Sequence, residues 1–150
     1  ADRSVWHPLL YHWFCVQVHP FIELIVIDDA PAPSAYFSAA DFNDRRVKYL
    51  HLPPSSASSP PLSIGAKRNR AIDAASGDII AQFDDDDCYS PQYLTEMVSA
   101  LVAQQVDLVK LGAWLNVDLE TGVLGHLDLE GWLPAPLAAQ RDRLRASYGF

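Results

Sequence analysis

Two cysteines, Cys15 and Cys88, are too few and too far apart to form a metal-ligand pattern, and both stand among apolar or aromatic neighbours. They are expected as reduced, packed thiols rather than as a disulfide, which favours a reducing compartment. Basic residues are also scarce: 11 Lys and Arg face 19 Asp and Glu, for a formal net charge of -8 and a pI near 4.8. A protein that coats nucleic-acid phosphates presents a basic face, so no nucleic-acid partner is expected. Any phosphate bound here must be held locally, through a cation or a few placed donors. Long apolar runs are missing too. The longest one near the start, residues 9–18, is interrupted by His12 and Gln17 and falls far short of the ~20 residues that span a bilayer. It lacks the basic flank and small-residue cleavage site of a signal peptide. No transmembrane or targeting segment is therefore expected, and the expected location is cytoplasmic or on the cytosolic face of a membrane. There is no internal repeat, and the spaced D-x-D-x-D-G pattern of a calcium loop is absent.

What the sequence does contain is a hydrophobic content of 49% and an aromatic content of 11% in 150 residues, enough for one ordinary core and a single domain over residues 1–150. Helical spacing of Leu9, Trp13 and Val16 predicts a helix over residues 8–18. A β-branched run over 23–27, closed by Asp28-Asp29, predicts a buried parallel strand. A short helix over 35–43 and a strand over 46–52 follow. The segment 53–61, Pro-Pro-Ser-Ser-Ala-Ser-Ser-Pro-Pro, can only be a loop, because its prolines lack the amide donor and its serines compete for backbone bonds. Ser63 is a candidate N-cap and Gly77 a candidate C′ residue for a helix over 64–75. A third strand is expected over 78–83, and Ser90-Pro91 opens a helix over 92–105. A strand over 106–114, a turn at 116–122, a strand over 123–127 and a helix over 133–145 complete the chain. The fold class is α/β, with a mostly parallel central sheet flanked by helices and an antiparallel addition near the C-terminus.

The chemistry concentrates in Asp84-Asp85-Asp86-Asp87. Four adjacent carboxylates repel one another, so they persist either in full solvent or around a cation. Their position between an Ile- and Phe-containing strand and a capped helix is the carboxyl-end edge where open α/β sheets bind ligands. Hard oxygen donors suit Mg²⁺ or Mn²⁺, which take one or two protein carboxylates and complete their shells with substrate phosphate and water. Asp28-Asp29 is a second acidic strand end, which alone reads more readily as an Asx-turn. Lys67-Arg68-Asn69 places cations near a helix start, where free amides also favour phosphate.

The order of these segments resembles a family. Glu23-Leu24-Ile25-Val26-Ile27-Asp28-Asp29, then Gly65-Ala66-Lys67-Arg68-Asn69 with Ala74 and Ser76-Gly77-Asp78, then Phe83-Asp84-Asp85-Asp86-Asp87 and Pro91 is similar to glycosyltransferase family 2, the inverting GT-A enzymes, over about residues 8–110. The resemblance implies a Rossmann-like nucleotide-sugar-binding half and transfer of a sugar, with inversion and metal assistance, from a nucleoside-diphosphate donor, typically a UDP-sugar, to a hydroxyl acceptor of unknown identity. Position by position, it implies that Asp29 contacts the nucleobase and that Arg68, the arginine of G-x-x-R-N, lies near the donor. It further implies that Asp84 and Asp85 face the ribose or sugar and that Asp86 holds Mn²⁺ or Mg²⁺. Asp87 is instead a candidate cap of the following helix.

The chain departs from the pattern at both edges. Nothing before Trp6 matches the family's opening strand with its Thr/Tyr-Asn segment, and the general base belongs to an acceptor half downstream. The expectation is a truncated domain that holds the donor site, with Ser147-Tyr148-Gly149-Phe150 a candidate for the opening of the acceptor half. Glu120, Asp128 and Glu130 are the late carboxylates, and none is nominated as the base, so the catalytic residue is unassigned. Two rival readings stand beside this one: a non-catalytic nucleotide- or metal-binding module, and a nucleotidyltransferase on a related fold, against which the missing glycine-rich signature near the first strand counts.

Overall fold

The structure, a computed structural model, describes residues 3–54, 56 and 60–128. These fall into two compact units, within residues 1–95 and 96–150. The first unit is α/β. A single 3₁₀ turn, Ser4–Trp6, leads into helix α1 (His7–Cys15), which has Pro8 in its first turn and no side-chain N-cap. Strands β1 (Leu24–Asp28) and β2 (Val47–His51) pair in parallel, from Leu24 opposite Val47 to Asp28 opposite His51. Helix α2 (Ile64–Ala74) packs against β1, and helix α3 (Tyr93–Gln104) begins at the end of this unit.

Two periodicities build the core. Leu10 and Phe14 are four residues apart on α1 and share its inner face, while Leu24 and Val26 are two apart on β1 and share one side of the pleat. With Phe37 they form the buried cluster, and Tyr11, Tyr36, Phe42, Tyr49 and Phe83 pack around it. The expected helix over 35–43 does not form; the segment is a series of turns. Its rings explain why. The rings of Tyr36 and Phe37 approach that of Phe42 at 5.8 and 5.3 Å, whereas a helix turning ~100° per residue would splay positions 36, 37 and 42 around its circumference. Ser34 caps one turn, accepting the Phe37 amide on Oγ and the Ser38 amide on its carbonyl, and the chain then turns again.

The expected strand over 78–83 is likewise not a strand, because no neighbour among the described residues forms a ladder with it. Side chains hold it at both ends instead. Glu23 accepts hydrogen bonds from the Ser76 and Gly77 amides and the Ser76 hydroxyl, and it pairs with Lys48 at 2.8 Å. Lys48 in turn donates to the Ala74 carbonyl at 3.2 Å, satisfying an orphan acceptor at the end of α2. That helix therefore stops without Gly77 in a left-handed conformation: Ala75 is extended at φ -72° and ψ 149°. Its start matches the sequence, with the Ser63 hydroxyl accepting the Ala66 amide at 3.2 Å.

Gln17, 93% buried by its 7% exposure, ties α1 to α3. Its amide donates to the carbonyls of Trp13 and Ser90, and its oxygen accepts the Leu94 amide. The interruption of the apolar stretch at this position is thus a structural joint. Both cysteines are free, as expected, but they are exposed rather than packed.

In the second unit α3 ends at Gln104, and Gln105 after it takes φ 51° while the Val106 amide donates back to the Leu101 carbonyl. The strand expected over 106–114 starts only at Ala113: β3 (Ala113–Val117) pairs antiparallel with β4 (Leu124–Asp128). The turn between them is the expected one. Asp118 accepts the Glu120 and Thr121 amides on Oδ1, and Gly122 takes φ 69° where a side chain would be strained. The expected helix over 133–145, the segment 147–150 and Glu130 lie outside the described residues. Among the described residues no helix is long and apolar enough to cross a membrane.

The Glu23 junction gives a pH prediction. The Lys48 ammonium, then the Ser76 amide and hydroxyl, hold the Glu23 carboxyl down at about 2. A folded-state value below the unfolded one contributes stability that is fully present above about pH 4.5 and is lost as pH falls toward 2. Glu23→Gln is expected to lower stability by about 1 kcal/mol at neutral pH and to flatten the acid limb between those values, as measured by thermal melts against pH.

Candidate functional site

Adjacent strand residues point to opposite faces, and this separates the two aspartates at the end of β1. Asp28 is structural. Its Oδ1 accepts the Ala30 amide at 2.9 Å and its Oδ2 accepts the Tyr49 hydroxyl at 2.6 Å, while Tyr49 itself accepts the Ser34 amide. Burial and then the bond to Asp28 push the Tyr49 phenol up to about 12. Asp29 looks the other way, toward α2, where its Oδ1 meets the Lys67 ammonium at 2.7 Å and its Oδ2 accepts the Leu62 amide at 3.1 Å. Burial alone would raise the Asp29 carboxyl; the Lys67 ammonium and the Leu62 amide outweigh it and hold the group below the ordinary range.

Asp29 lines a cleft of about 560 Å³. Its walls are mostly apolar, from Leu50 and Leu52 of β2 and its exit and from Pro53, Pro54, Pro60, Pro61 and Leu62, with Arg70, Asp73 and Ala74 of α2 opposite. Sequence reasoning did not find this cleft. Its prolines were visible only as a loop, since no local pattern shows that both ends of the segment return to one helix.

The next residue of α2, Arg68, extends to the third motif, its guanidinium 3.8 Å from Asp84 Oδ1. Consecutive residues of one helix thus address two acidic segments that are 55 positions apart in sequence, and Asp29, Arg68 and Asp84 come together around the first turns of α2. Asp85 and Asp86 are engaged separately. Arg3 binds Asp85 through Nε and Nη2 and reaches Asp86 Oδ1 at 2.8 Å. Burial raises the Asp85 carboxyl, but the Arg3 guanidinium more than offsets this. No sequence signal pointed to Arg3.

Asp87 carries the residual repulsion. Burial first, then the charges of Asp84, Asp86 and Asp85, push its carboxyl above the ordinary range. Counted by charge among the described residues, four carboxylates face only the two guanidiniums of Arg3 and Arg68, so the run keeps a formal negative excess. That excess, with Asp84 and Asp86 exposed and all donors hard oxygens, fits a divalent cation of the Mg²⁺ or Mn²⁺ type. Among the described residues no three His, Cys, Asp or Glu side chains converge on one point.

The run is framed by aromatic rings. Phe83 stacks on Tyr89 at 3.8 Å, Tyr93 packs against both, and the Asp84 amide donates to the Tyr89 hydroxyl at 2.8 Å. Tyr89 was not singled out from the sequence, because it lies before the helix and no local periodicity links it to Asp84.

Lys67→Met is expected to release the Asp29 carboxyl toward its ordinary value and to loosen the Leu62 end of the adjoining loop. Carbon-detected NMR titration of Asp29 checks the first effect and exchange of the Leu62 amide the second.

Comparison with known proteins supplies the context. The family model described as Glycosyl transferase family 2 matches residues 12–143. Among curated proteins, the chain is 32% identical over 90 residues to EpsH of Bacillus subtilis (strain 168), a provisionally named glycosyltransferase; the match covers 59% of this chain and 24% of that protein. The chain thus spans about a quarter of the length of the curated relative it matches. No solved structure matches.

Proposed function

The chain belongs to glycosyl transferase family 2, and from that membership we propose that it holds the nucleoside-diphosphate-sugar donor, a UDP-sugar, of an inverting glycosyl transfer to a hydroxyl acceptor. Its α/β architecture is part of the GT-A fold. The observation that carries the proposal is the behaviour of Lys67 and Arg68: neighbours on α2, they draw Asp29 and Asp84 to one end of the helix. Three motifs that are each degenerate alone become one surface.

The roles follow from chemistry. Asp29 accepts hydrogen bonds from the nucleobase, whose flat ring suits the Pro- and Leu-walled cleft beside it. Arg68, exposed and cationic, faces the diphosphate. Asp84 and Asp85 contact the ribose or sugar, and Asp86 holds Mn²⁺ or Mg²⁺. When bound, such an ion supplies Lewis-acid stabilisation of charge on the leaving diphosphate and a template for its orientation. The protein's own contribution is to fix the carboxylates, to hold the base against apolar walls and to set Arg68 where negative charge develops. Arg3 has a further consequence. It already neutralises part of Asp85 and Asp86, so loading of the cation requires its guanidinium to give way. No residue of the chain is assigned as general base. The free, exposed cysteines support placement in the cytoplasm or at the cytosolic face of a membrane.

Calorimetry of the chain with UDP and GDP, with and without Mn²⁺, tests the proposal. Binding is expected only with the cation, and Asp86→Ala is expected to abolish the metal-dependent component. Metal-independent binding of equal strength in that variant would overturn the assignment. Arg3→Ala is expected to tighten the Mn²⁺-dependent binding about twofold to fivefold, the range an exposed ion pair contributes.

A further inference from the structure

We infer that Tyr89 is a positioning residue for the aspartate run, closing it into a loop that is ordered before any ligand arrives. The inference rests on the donor-site reading above and adds a residue to it. The loop runs from Asp84 to Tyr89, and one interaction closes it end to end: the Asp84 amide donates to the Tyr89 hydroxyl at 2.8 Å. The same tyrosine ring lies nearly flat on Phe83, the residue before the run, with centroids 3.8 Å apart and planes 16° from parallel. Tyr93, on the first turn of α3, packs on Tyr89 at 4.9 Å and on Phe83 at 5.8 Å, fixing the pair to the helix.

The need for such a closure is specific to this segment. Residues 78–83 have no ladder partner among the described residues, and the contacts that hold this approach to the run come from side chains, Glu23 at one end and Tyr89 at the other. Ile79 and Ile80 are 44% and 43% exposed and anchor the segment weakly. Four mutually repelling carboxylates also favour opening of the loop. Against both effects the stack contributes an aromatic contact, and the amide-to-phenol bond fixes the backbone from which the Asp84 carboxylate projects. An ordered loop loses less conformational freedom on binding than a free one, so the closure appears as affinity.

Tyr89→Phe isolates the hydroxyl, because it keeps the ring and its stack. Tyr36→Phe serves as the control, removing a hydroxyl from a ring that packs on the core cluster with Phe37 and Phe42 rather than on the run. For both variants and the parent chain, the Mn²⁺-dependent affinity for UDP, the melting temperature and the exchange rate of the Asp84 amide are measured. Tyr89→Phe is expected to weaken the Mn²⁺-dependent affinity about fivefold, the size of one hydrogen bond, and to speed Asp84 exchange, while Tyr36→Phe changes neither. If Tyr89→Phe speeds exchange but binds UDP as the parent does, the loop is closed to no purpose and the inference is overturned. If both variants lose melting temperature and affinity in proportion, Tyr89 is a packing residue only and the inference is again overturned. Absence of Mn²⁺-dependent UDP binding in the parent chain is a different result: it overturns the donor-site reading and removes the inference with it.

Discussion

Electrostatic repulsion among carboxylates is the constraint to which the rest of the α/β unit responds. Asp84 through Asp87 repel one another, and Asp28 and Asp29 add two more carboxylates that need partners. Each is answered differently. Asp28 is absorbed by backbone and Tyr49 bonds, Asp29 by Lys67 and the Leu62 amide, Asp84 by the approach of Arg68, and Asp85 and Asp86 by Arg3. Asp87 keeps a raised carboxyl, from burial first and then from its neighbours' charges. The distribution is graded from fully satisfied at the strand end to under-compensated at the run.

Much of this was legible in the sequence. The alternation of Leu24 and Val26, the i to i+4 spacing of Leu10 and Phe14, the Ser63 cap and the Asp118 to Gly122 turn are local signals, and each lies within a few residues of its expected place. The motif order was legible as well, and the family match over residues 12–143 bears it out. What escaped was non-local. A strand exists only with a partner, so the β-branched residues at 79 and 80 could not reveal that 78–83 would be tethered through Glu23 and Tyr89 instead. Helical propensity over 35–43 lost to the convergence of three rings on one core. The Arg3 contact spans 82 positions, and no periodicity encodes such a distance.

The site has the same division. Residue types and order nominated Asp29, Arg68 and Asp84 to Asp86, and Lys67 as a cation near a helix start, while the pairing of Lys67 with Asp29 and the whole contact of Arg3 came only from the structure. Buried polar side chains play a comparable part away from the site. Gln17 breaks an apolar run in order to join two helices, and Glu23 with Lys48 finishes a helix that lacks a glycine cap.

The bond from the Leu62 amide to Asp29 separates the geometry of the site from the length of the proline- and serine-rich segment before it. Because the return point is pinned to the strand end, residues added between β2 and Leu62 lengthen a closed tether without moving α2, and each doubling of such a loop costs only about 0.6 kcal/mol. The segment is therefore a place where related chains can diverge in length and composition, reshaping the mouth of the cleft while Lys67 and Arg68 keep their register.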